Sequence, residues 1–282
     1  MSAISEREFG IYFAITNNCN LECGHCSQDA GPGKKSMSLD DIKTVVDNLP
    51  RYTHEIMITG GEVFTRKRLL YATLEYVNET LPNLDWLRVQ TNGFWATDRE
   101  KVNRTLDELV DLGVTDIDVA ANDAYHRMEG LDMRRPYLLG KIAEERDMGS
   151  KRSYIRHLRV FPAGRGWSLE SKRWRSFTGA PHCPEIKESI SIDYEGYVYP
   201  CSIMLPGTEL GNAKEEKVYL IMQRAMKNEK MTLLREKDGP RRLARQAGLS
   251  PKEIKDVQAY QKASRCGLCS YLFNEGLVQL NK

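Results

Sequence analysis

Hydrophobic runs alternate with amphipathic stretches along the first 165 residues of the chain. The short apolar runs predict strands, and stretches with apolar residues three or four positions apart predict the helices between them. The predicted strands are 11–16, 55–59, 86–90, 116–120 and 154–161. The predicted helices are 38–49, 67–80, 98–112 and 136–148. Strands that alternate with helices of this length indicate βαβ units around a parallel sheet, so the predicted fold class is α/β.

Local signals predict where these helices end and which faces they bury. Ser38 is placed to cap the first helix, and Gly113 follows the end of the third. The residues predicted to face the core are Leu70, Leu74 and Val77 in the second helix and Val102, Leu106, Leu109 and Val110 in the third.

Residues capable of chemistry follow four predicted strands, each at its carboxyl end. These groups are Cys19, Cys23 and Cys26, then Gly60, Gly61 and Glu62, then Thr91, Asn92 and Gly93, and finally Asn122, Asp123 and His126. Active sites of parallel sheets lie at the carboxyl ends of the strands. The pattern therefore predicts one site on this rim.

The pattern changes after residue 165. Residues 189–193 and 197–199 predict an antiparallel hairpin, and Cys201 follows it directly. Residues 214–265 are basic and predicted to be helical. We therefore expect a first domain over 1–165 and a second over 166–282.

Composition excludes several classes of protein. Apolar residues make up 41% of the chain, charged residues 28%, and the net charge is +2, as in an ordinary soluble globular protein. No apolar run approaches the roughly 18 residues of a membrane helix. The first ten residues lack the features of a secretory signal, so we expect a cytoplasmic protein with no membrane partner. In a reducing compartment, seven clustered cysteines indicate metal or redox chemistry rather than disulfides.

The first three cysteines have the spacing C-x-x-x-C-x-x-C over residues 19–26. Three thiolates on one short loop can hold three irons of a [4Fe–4S] cube, which leaves the fourth iron open to chelate a small molecule. The alternative is a zinc site that borrows a remote histidine, although three cysteines so close together fit zinc poorly.

This motif, followed by Gly-Gly-Glu after the second strand, resembles the radical S-adenosylmethionine (SAM) enzymes over residues 9–165. The resemblance implies a partial (β/α)6 TIM-type barrel. It also implies that the open iron binds SAM, and that reductive cleavage of SAM yields methionine and a 5′-deoxyadenosyl radical that abstracts a substrate hydrogen atom. His25 stands where the family often has an aromatic residue.

The resemblance also assigns cofactor-binding roles. Gly60, Gly61 and Glu62 match the segment that contacts the SAM amino group, Thr91 and Asn92 the segment near the ribose hydroxyls, and Arg165 a residue that pairs with the SAM carboxylate. The alternatives are ordinary turns at strand ends and a surface arginine.

A further segment, residues 121–126, resembles S-x-D-x-Y/F-H, with Ala121 where the serine is expected. It makes Asp123 and His126 the candidate catalytic or substrate-binding residues. A structural histidine remains the alternative for His126.

The other cysteines are Cys183, Cys201, Cys266 and Cys269. Two distant pairs can close a whole cube or hold zinc. Their pattern resembles the twitch domain, a shortened SPASM domain of radical SAM enzymes, and implies one auxiliary [4Fe–4S] cluster in a β-hairpin-plus-helix domain. The spacings are similar to those of radical SAM dehydrogenases that oxidise an aminocyclitol alcohol. A cluster with four cysteine ligands cannot bind substrate directly, but it can accept an electron.

These observations predict a radical SAM enzyme that oxidises a small polar molecule, with the auxiliary cluster as electron acceptor and a flavodoxin- or ferredoxin-type reductant. One alternative is a peptide-modifying maturase, which the start of the first strand near residue 11 disfavours, because it leaves no room for a preceding recognition domain. The other is a non-catalytic iron–sulfur electron carrier. We do not expect a nucleic-acid partner.

Overall fold

The computed structural model of the chain describes residues 9–121, 123–149, 160–169, 189–260 and 265–280. The strands are β1 (Gly10–Thr16), β2 (Glu55–Gly60), β3 (Trp86–Thr91), β4 (Asp116–Val119), β5 (Ser189–Ile192), β6 (Tyr197–Tyr199) and β7 (Gly211–Asn212). The helices are α1 (Leu39–Asn48), α2 (Lys67–Thr80), α3 (Arg99–Asp111), α4 (Asp123–Met128), α5 (Arg134–Glu145), α6 (Val218–Lys227), α7 (Glu229–Arg235), α8 (Gly239–Gln246), α9 (Pro251–Tyr260) and α10 (Arg265–Asn274).

Within the described residues the strands form one sheet in the order β4-β3-β2-β1-β5-β6-β7. Strands β4, β3, β2, β1 and β5 are parallel neighbours, whereas β6 and β7 continue the sheet antiparallel. The predicted parallel sheet and the predicted hairpin are therefore confirmed. The pairing of β5 with β1, from Gly10 opposite Ser189 to Phe13 opposite Ile192, was not foreseen. It joins the two predicted domains through one continuous sheet.

The two faces of the sheet differ in chemistry. Ile11, Phe13 and Ile58 belong to one face and are completely or almost completely buried in the main hydrophobic core. On the other face a hydrogen-bonded chain crosses three strands. The Thr59 hydroxyl donates to Gln90 Oε1 at 2.7 Å, and Gln90 Nε2 donates to Asp118 Oδ2 at 2.8 Å. Parallel sheets covered on both sides are usually apolar on both faces, so this face is set apart by its polar side chains.

The four predicted helices are present, although α5 begins two and ends three residues earlier than predicted, and the short α4 was not predicted. The Ser38 hydroxyl accepts the Asp41 N–H at 3.1 Å and caps α1, and the apolar stripe of α2 is fully buried. The expectation that Val110 faces inward is wrong, because 47% of it is exposed. The buried stripe of α3 follows Val102, Leu106 and Leu109, and one further residue turns the side chain about 100° away from that face.

Some expectations lie outside the described residues. They include most of the predicted strand 154–161, as well as Asn122 and Cys183. Asp123 begins α4, but its side chain is also outside what the structure describes. The predicted helical character of 214–265 is confirmed as far as residue 260 by α6 to α9. Among the described residues, the helices are too short or too polar to cross a membrane.

Candidate active site

The three clustered cysteines lie on one closed loop after β1. Backbone hydrogen bonds join its two arms, from Asn17 N to Lys35 O at 2.8 Å and from Cys19 N to Gly31 O at 3.0 Å. Cys23 is buried, whereas Cys19 and Cys26 are half-buried. We call residues 17–35 the cysteine loop. Because these hydrogen bonds hold the two ends of the loop together, the three thiols are confined to one small region at the carboxyl end of β1.

The sulfur atoms of this loop suit an iron–sulfur group. The Leu21 N–H donates to Cys19 Sγ at 3.4 Å, and the Ala30 N–H donates to Cys26 Sγ at 3.3 Å. Hydrogen bonds to sulfur are one of the features that set cluster potentials. Burial raises the pKa of Cys19 to about 11 and that of Cys23 to about 12. Without a metal the thiols therefore retain their protons at neutral pH. A metal group would displace these protons on binding.

Two histidines lie beside the same thiols. Ligand atoms of Cys23, His25 and His126 all lie within 4.8 Å of one another. The His25 ring stacks on Tyr125 with centroids 4.8 Å apart and meets His126 edge-on at 5.0 Å. Burial lowers the pKa of His25 to about 3, so this imidazole is neutral at pH 7. The structure thus brings the candidate His126 to the cysteines, and it supplies the remote histidine that a zinc site would need.

Metal analysis of two variants distinguishes these ligand sets. Cys26 belongs to the cysteine triad but not to the Cys23, His25 and His126 set. For a cluster, Cys26→Ala should lose about half of the bound iron, whereas His126→Ala should retain nearly all of it. His54→Ala is the matched control, since His54 pairs with Asp85 on the surface. The reverse pattern, with zinc bound by Cys26→Ala and lost from His126→Ala, would contradict the cluster.

Gly60 and Gly61 let the end of β2 lie directly against the chain that leads into the cysteine loop. The Gly61 N–H donates to Thr16 O at 2.7 Å, and the Glu62 N–H to Asn18 O at 2.9 Å. A Cβ on Gly60 would lie 2.2 Å from Thr16 O, and one on Gly61 would lie 2.4 Å from Asn18 O. Both positions therefore require glycine for backbone packing, whatever they contact in SAM.

Glu62 joins the ends of β2 and β3 from a completely buried position. Its carboxylate accepts the Phe64 N–H at 3.1 Å, the Thr91 hydroxyl at 2.8 Å and the Asn92 N–H at 2.6 Å. Burial raises the pKa of Glu62 to about 7, although these donors lower it. Because both oxygens are engaged inside the protein, direct contact with the SAM amino group stays a prediction.

Thr91 and Asn92 are also buried and engaged. Thr91 Oγ1 accepts the indole N–H of Trp95 at 3.2 Å, and Asn92 Nδ2 donates to Asn20 Oδ1 at 2.9 Å. Asn20 lies inside the cysteine loop, so Asn92 and Glu62 connect that loop to β2 and β3. In the sequence, Asn20 is distinguished only by its place beside Cys19. Binding of the ribose by Thr91 and Asn92 stays a prediction.

Arg165 reaches the cysteine loop from a 3₁₀ turn, Gly164–Ser168. Its Nε donates to Cys23 O at 2.9 Å, Nη1 to Asp29 Oδ1 at 2.6 Å and Nη2 to Ala30 O at 2.6 Å. Asp29 was not singled out in the sequence either. Arg165 is therefore at the site as expected, although its pairing with the SAM carboxylate stays a prediction.

The second group of cysteines comprises Cys183, Cys201, Cys266 and Cys269, and its described members lie on or directly after two elements of the carboxyl-terminal part. Cys201 follows β6, and Cys266 and Cys269 lie on α10; all three are half-buried against the main core. The segments after these elements meet where the Leu280 N–H donates to Gly207 O at 2.8 Å. Asn274 Nδ2, at the end of α10, donates to Pro162 O at 3.3 Å, just before the Arg165 turn. Helix α10 thus connects the second cysteine group to the first site.

Fold and site together define an α/β protein that can bind an iron–sulfur group at the carboxyl end of a parallel sheet. Residues 13–144 match the radical SAM superfamily, and residues 183–246 match SPASM, an iron–sulfur cluster-binding domain. The chain therefore contains a radical SAM domain followed by a SPASM domain. The predicted family and auxiliary domain are therefore confirmed. A [4Fe–4S] cluster and SAM are the cofactors of the first domain, and the second implies an auxiliary iron–sulfur cluster.

Known proteins resemble parts of this chain. GTP 3′,8-cyclase of Aeromonas hydrophila is 27% identical over 45% of this chain and 38% of its own. YydG of Bacillus subtilis (strain 168), whose name refers to peptide biosynthesis, is 26% identical over 40% and 35%. The chain thus matches little more than a third of these relatives. The crystal structure of BtrN in complex with AdoMet and 2-DOIA covers 83% of this chain and 89% of its own, with TM-score 0.54 and 18% identity, which shows a shared fold.

Proposed function

We propose that this radical SAM enzyme oxidises a small polar molecule by removing one hydrogen atom, one proton and one electron. When bound, the first cluster and SAM would supply a 5′-deoxyadenosyl radical as the acceptor of the hydrogen atom from a substrate C–H bond. The proton would leave to a base at the rim, and the auxiliary cluster would serve as acceptor of the electron. The main support for this proposal is the division of the cysteines into two groups. Three lie on the cysteine loop, and four belong to the carboxyl-terminal part, which α10 connects to the site at that loop.

The side chains of this chain have distinct proposed roles. Cys19, Cys23 and Cys26 hold the first cluster, and Cys183, Cys201, Cys266 and Cys269 hold the second. His126 takes the substrate proton, with Asp123 as the neighbouring candidate for substrate binding. His126 suits this role because it is largely buried beside Cys23, at the rim where the radical must form.

The named relatives favour different substrates. BtrN was solved with the small molecule 2-DOIA, which supports a small-molecule oxidation on the strength of a shared fold. YydG, whose name refers to peptide biosynthesis, keeps a peptide-modifying maturase as the second candidate. In both cases the enzyme needs a one-electron reductant, for which we propose a flavodoxin or ferredoxin.

Deuterium transfer tests this proposal. The reconstituted enzyme is reduced without oxygen and supplied with SAM and candidate amino alcohols deuterated at the carbinol carbon. We expect deuterium in 5′-deoxyadenosine together with a ketone product that has lost this deuterium and the hydroxyl proton. Transfer from the Cα–D of a peptide, with none from any small alcohol, would favour the maturase instead.

Variants of the second cysteine group separate SAM cleavage from product formation. Cys201→Ala or Cys269→Ala should still yield 5′-deoxyadenosine at roughly wild-type amounts, because the first cluster is intact. Product should fall by at least about tenfold, since the substrate radical loses its electron acceptor. Both compounds are measured by chromatography with mass detection. Full product from these variants would overturn the role of the auxiliary cluster as electron acceptor.

A further inference from the structure

We propose that Arg165 is a positioning residue that fixes the cysteine loop and raises the reduction potential of the SAM-binding cluster, rather than a ligand of the SAM carboxylate. This inference rests on the proposed function, because it requires Cys19, Cys23 and Cys26 to hold that cluster. It concerns a residue outside the cysteine motif and more than a hundred positions away from it in the sequence.

The guanidinium bridges two parts of the cysteine loop. Nε donates to the backbone oxygen of Cys23, and Nη2 donates to that of Ala30. Cys26 lies between these two anchored residues. Nη1 is engaged by the Asp29 carboxylate. All three nitrogens of the guanidinium therefore already donate to the loop, which leaves only two of its five N–H groups for any further partner.

The turn that carries Arg165 is packed tightly against the same loop. A Cβ on Gly164 would lie 2.6 Å from Cys26 O, and one on Gly166 would lie 3.0 Å from His25 O. Gly164 has φ +52°, and the Gly166 N–H donates to Cys26 O at 3.4 Å. Such close backbone contact requires glycine at both positions, and it places the turn so that Arg165 is directed at the loop.

The charge of Arg165 is held against the loop that carries the three cysteines. Its guanidinium donates to Cys23 O at 2.9 Å and to Ala30 O at 2.6 Å, on either side of Cys26 in the sequence. Reduction adds one negative charge to a cluster, so a fixed nearby cation should raise its potential. Asp29 partly opposes this cation, and Lys34 in turn pairs with Asp29 at 2.7 Å. The potential should therefore respond in opposite directions to loss of Arg165 and loss of the Asp29 charge.

The test is a redox titration of the full-length, reconstituted protein without SAM, followed by electron paramagnetic resonance. We expect Arg165→Gln to shift the potential of the SAM-responsive cluster downward and to speed iron loss. Asp29→Asn should shift it upward, and Arg165→Lys should stay nearest to the wild type because it keeps the charge. Arg134→Gln is the control, since Arg134 is exposed and pairs with Asp132. A merely structural role would not give opposite shifts for the two members of one ion pair.

Measuring the SAM affinity of the same variants tests the alternative role of Arg165 as a ligand of the SAM carboxylate. An unchanged potential in Arg165→Gln, with SAM binding weakened by tenfold or more, would assign Arg165 to the SAM carboxylate and overturn the proposal. An unchanged potential with unchanged SAM binding would overturn it as well. Should Arg165→Gln fail to fold, the shift in Asp29→Asn carries the test. A SAM-responsive signal that survives Cys23→Ala would instead show that the cluster assignment has failed.

Discussion

Replacing Cys19, Cys23 or Cys26 by alanine is expected to abolish the formation of 5′-deoxyadenosine from SAM. Each thiol is predicted to hold one iron of the same cube, and a cube that leaves one iron open for SAM has no spare protein ligand. The loss should therefore be complete for each variant, to below about one hundredth of the wild-type rate. The measurement is chromatography of the products after anaerobic reconstitution and reduction with dithionite.

Cys269→Ala is the matched control for this experiment. It removes the same atoms from another half-buried cysteine, on α10, and it should retain SAM cleavage. The iron content should fall by about half in either class of variant, since each loses one of two cubes. Cleavage of SAM by Cys23→Ala would contradict the assignment of the triad.

Replacing Glu62 by alanine is expected to have the second largest effect, on stability as well as on SAM. The change leaves the Phe64 N–H, the Thr91 hydroxyl and the Asn92 N–H without their acceptor in a completely buried region. Each buried donor left without a partner costs about 1–3 kcal/mol, so we expect a loss of at least about 3 kcal/mol in the free energy of unfolding. Denaturant unfolding of the iron-free chain measures this loss without interference from the cofactors.

Glu62→Gln separates the charge of this residue from its volume. The pKa of Glu62 is raised from 4.5 to about 7 in the folded chain because the carboxyl group is buried. A raised pKa means that the folded chain binds more protons than the unfolded chain between these values. The stability that Glu62 contributes is thus present at low pH and is lost as pH rises through about 7. The wild type should lose stability relative to Glu62→Gln between about pH 4.5 and pH 7; a gain over this range would contradict the assignment.

The order of strands and helices in the first half could be predicted because periodicity and caps are local properties. Helix α2 follows the predicted bounds, and Ser38 caps α1 as expected. The pairing of β5 with β1 could not be predicted, since it joins residues about 180 positions apart and nothing in either strand specifies the partner. Val110 shows the limit of periodicity: an apolar residue next to the buried stripe is not necessarily part of it.

The site was predicted at the level of residues but not at the level of contacts. The sequence indicated Glu62, Asn92 and Arg165, and the structure brings all three to the cysteine loop. Their hydrogen-bond partners depend on how separate loops pack, so no motif in the sequence pointed to Asn20 or Asp29. Motif spacing can therefore locate this site, but it does not reveal which side chains are already engaged within the protein.

The most direct test of two clusters with different coordination is the electron paramagnetic resonance spectrum of the reduced, reconstituted chain before and after SAM is added. Two [4Fe–4S] clusters should give two signals, with about eight irons per chain. We expect SAM to change one signal, which Cys23→Ala should remove, and to leave the other unchanged. A single signal with about four irons per chain would contradict the presence of two clusters. Two signals that both stay unchanged when SAM is added would contradict the different coordination of the two clusters.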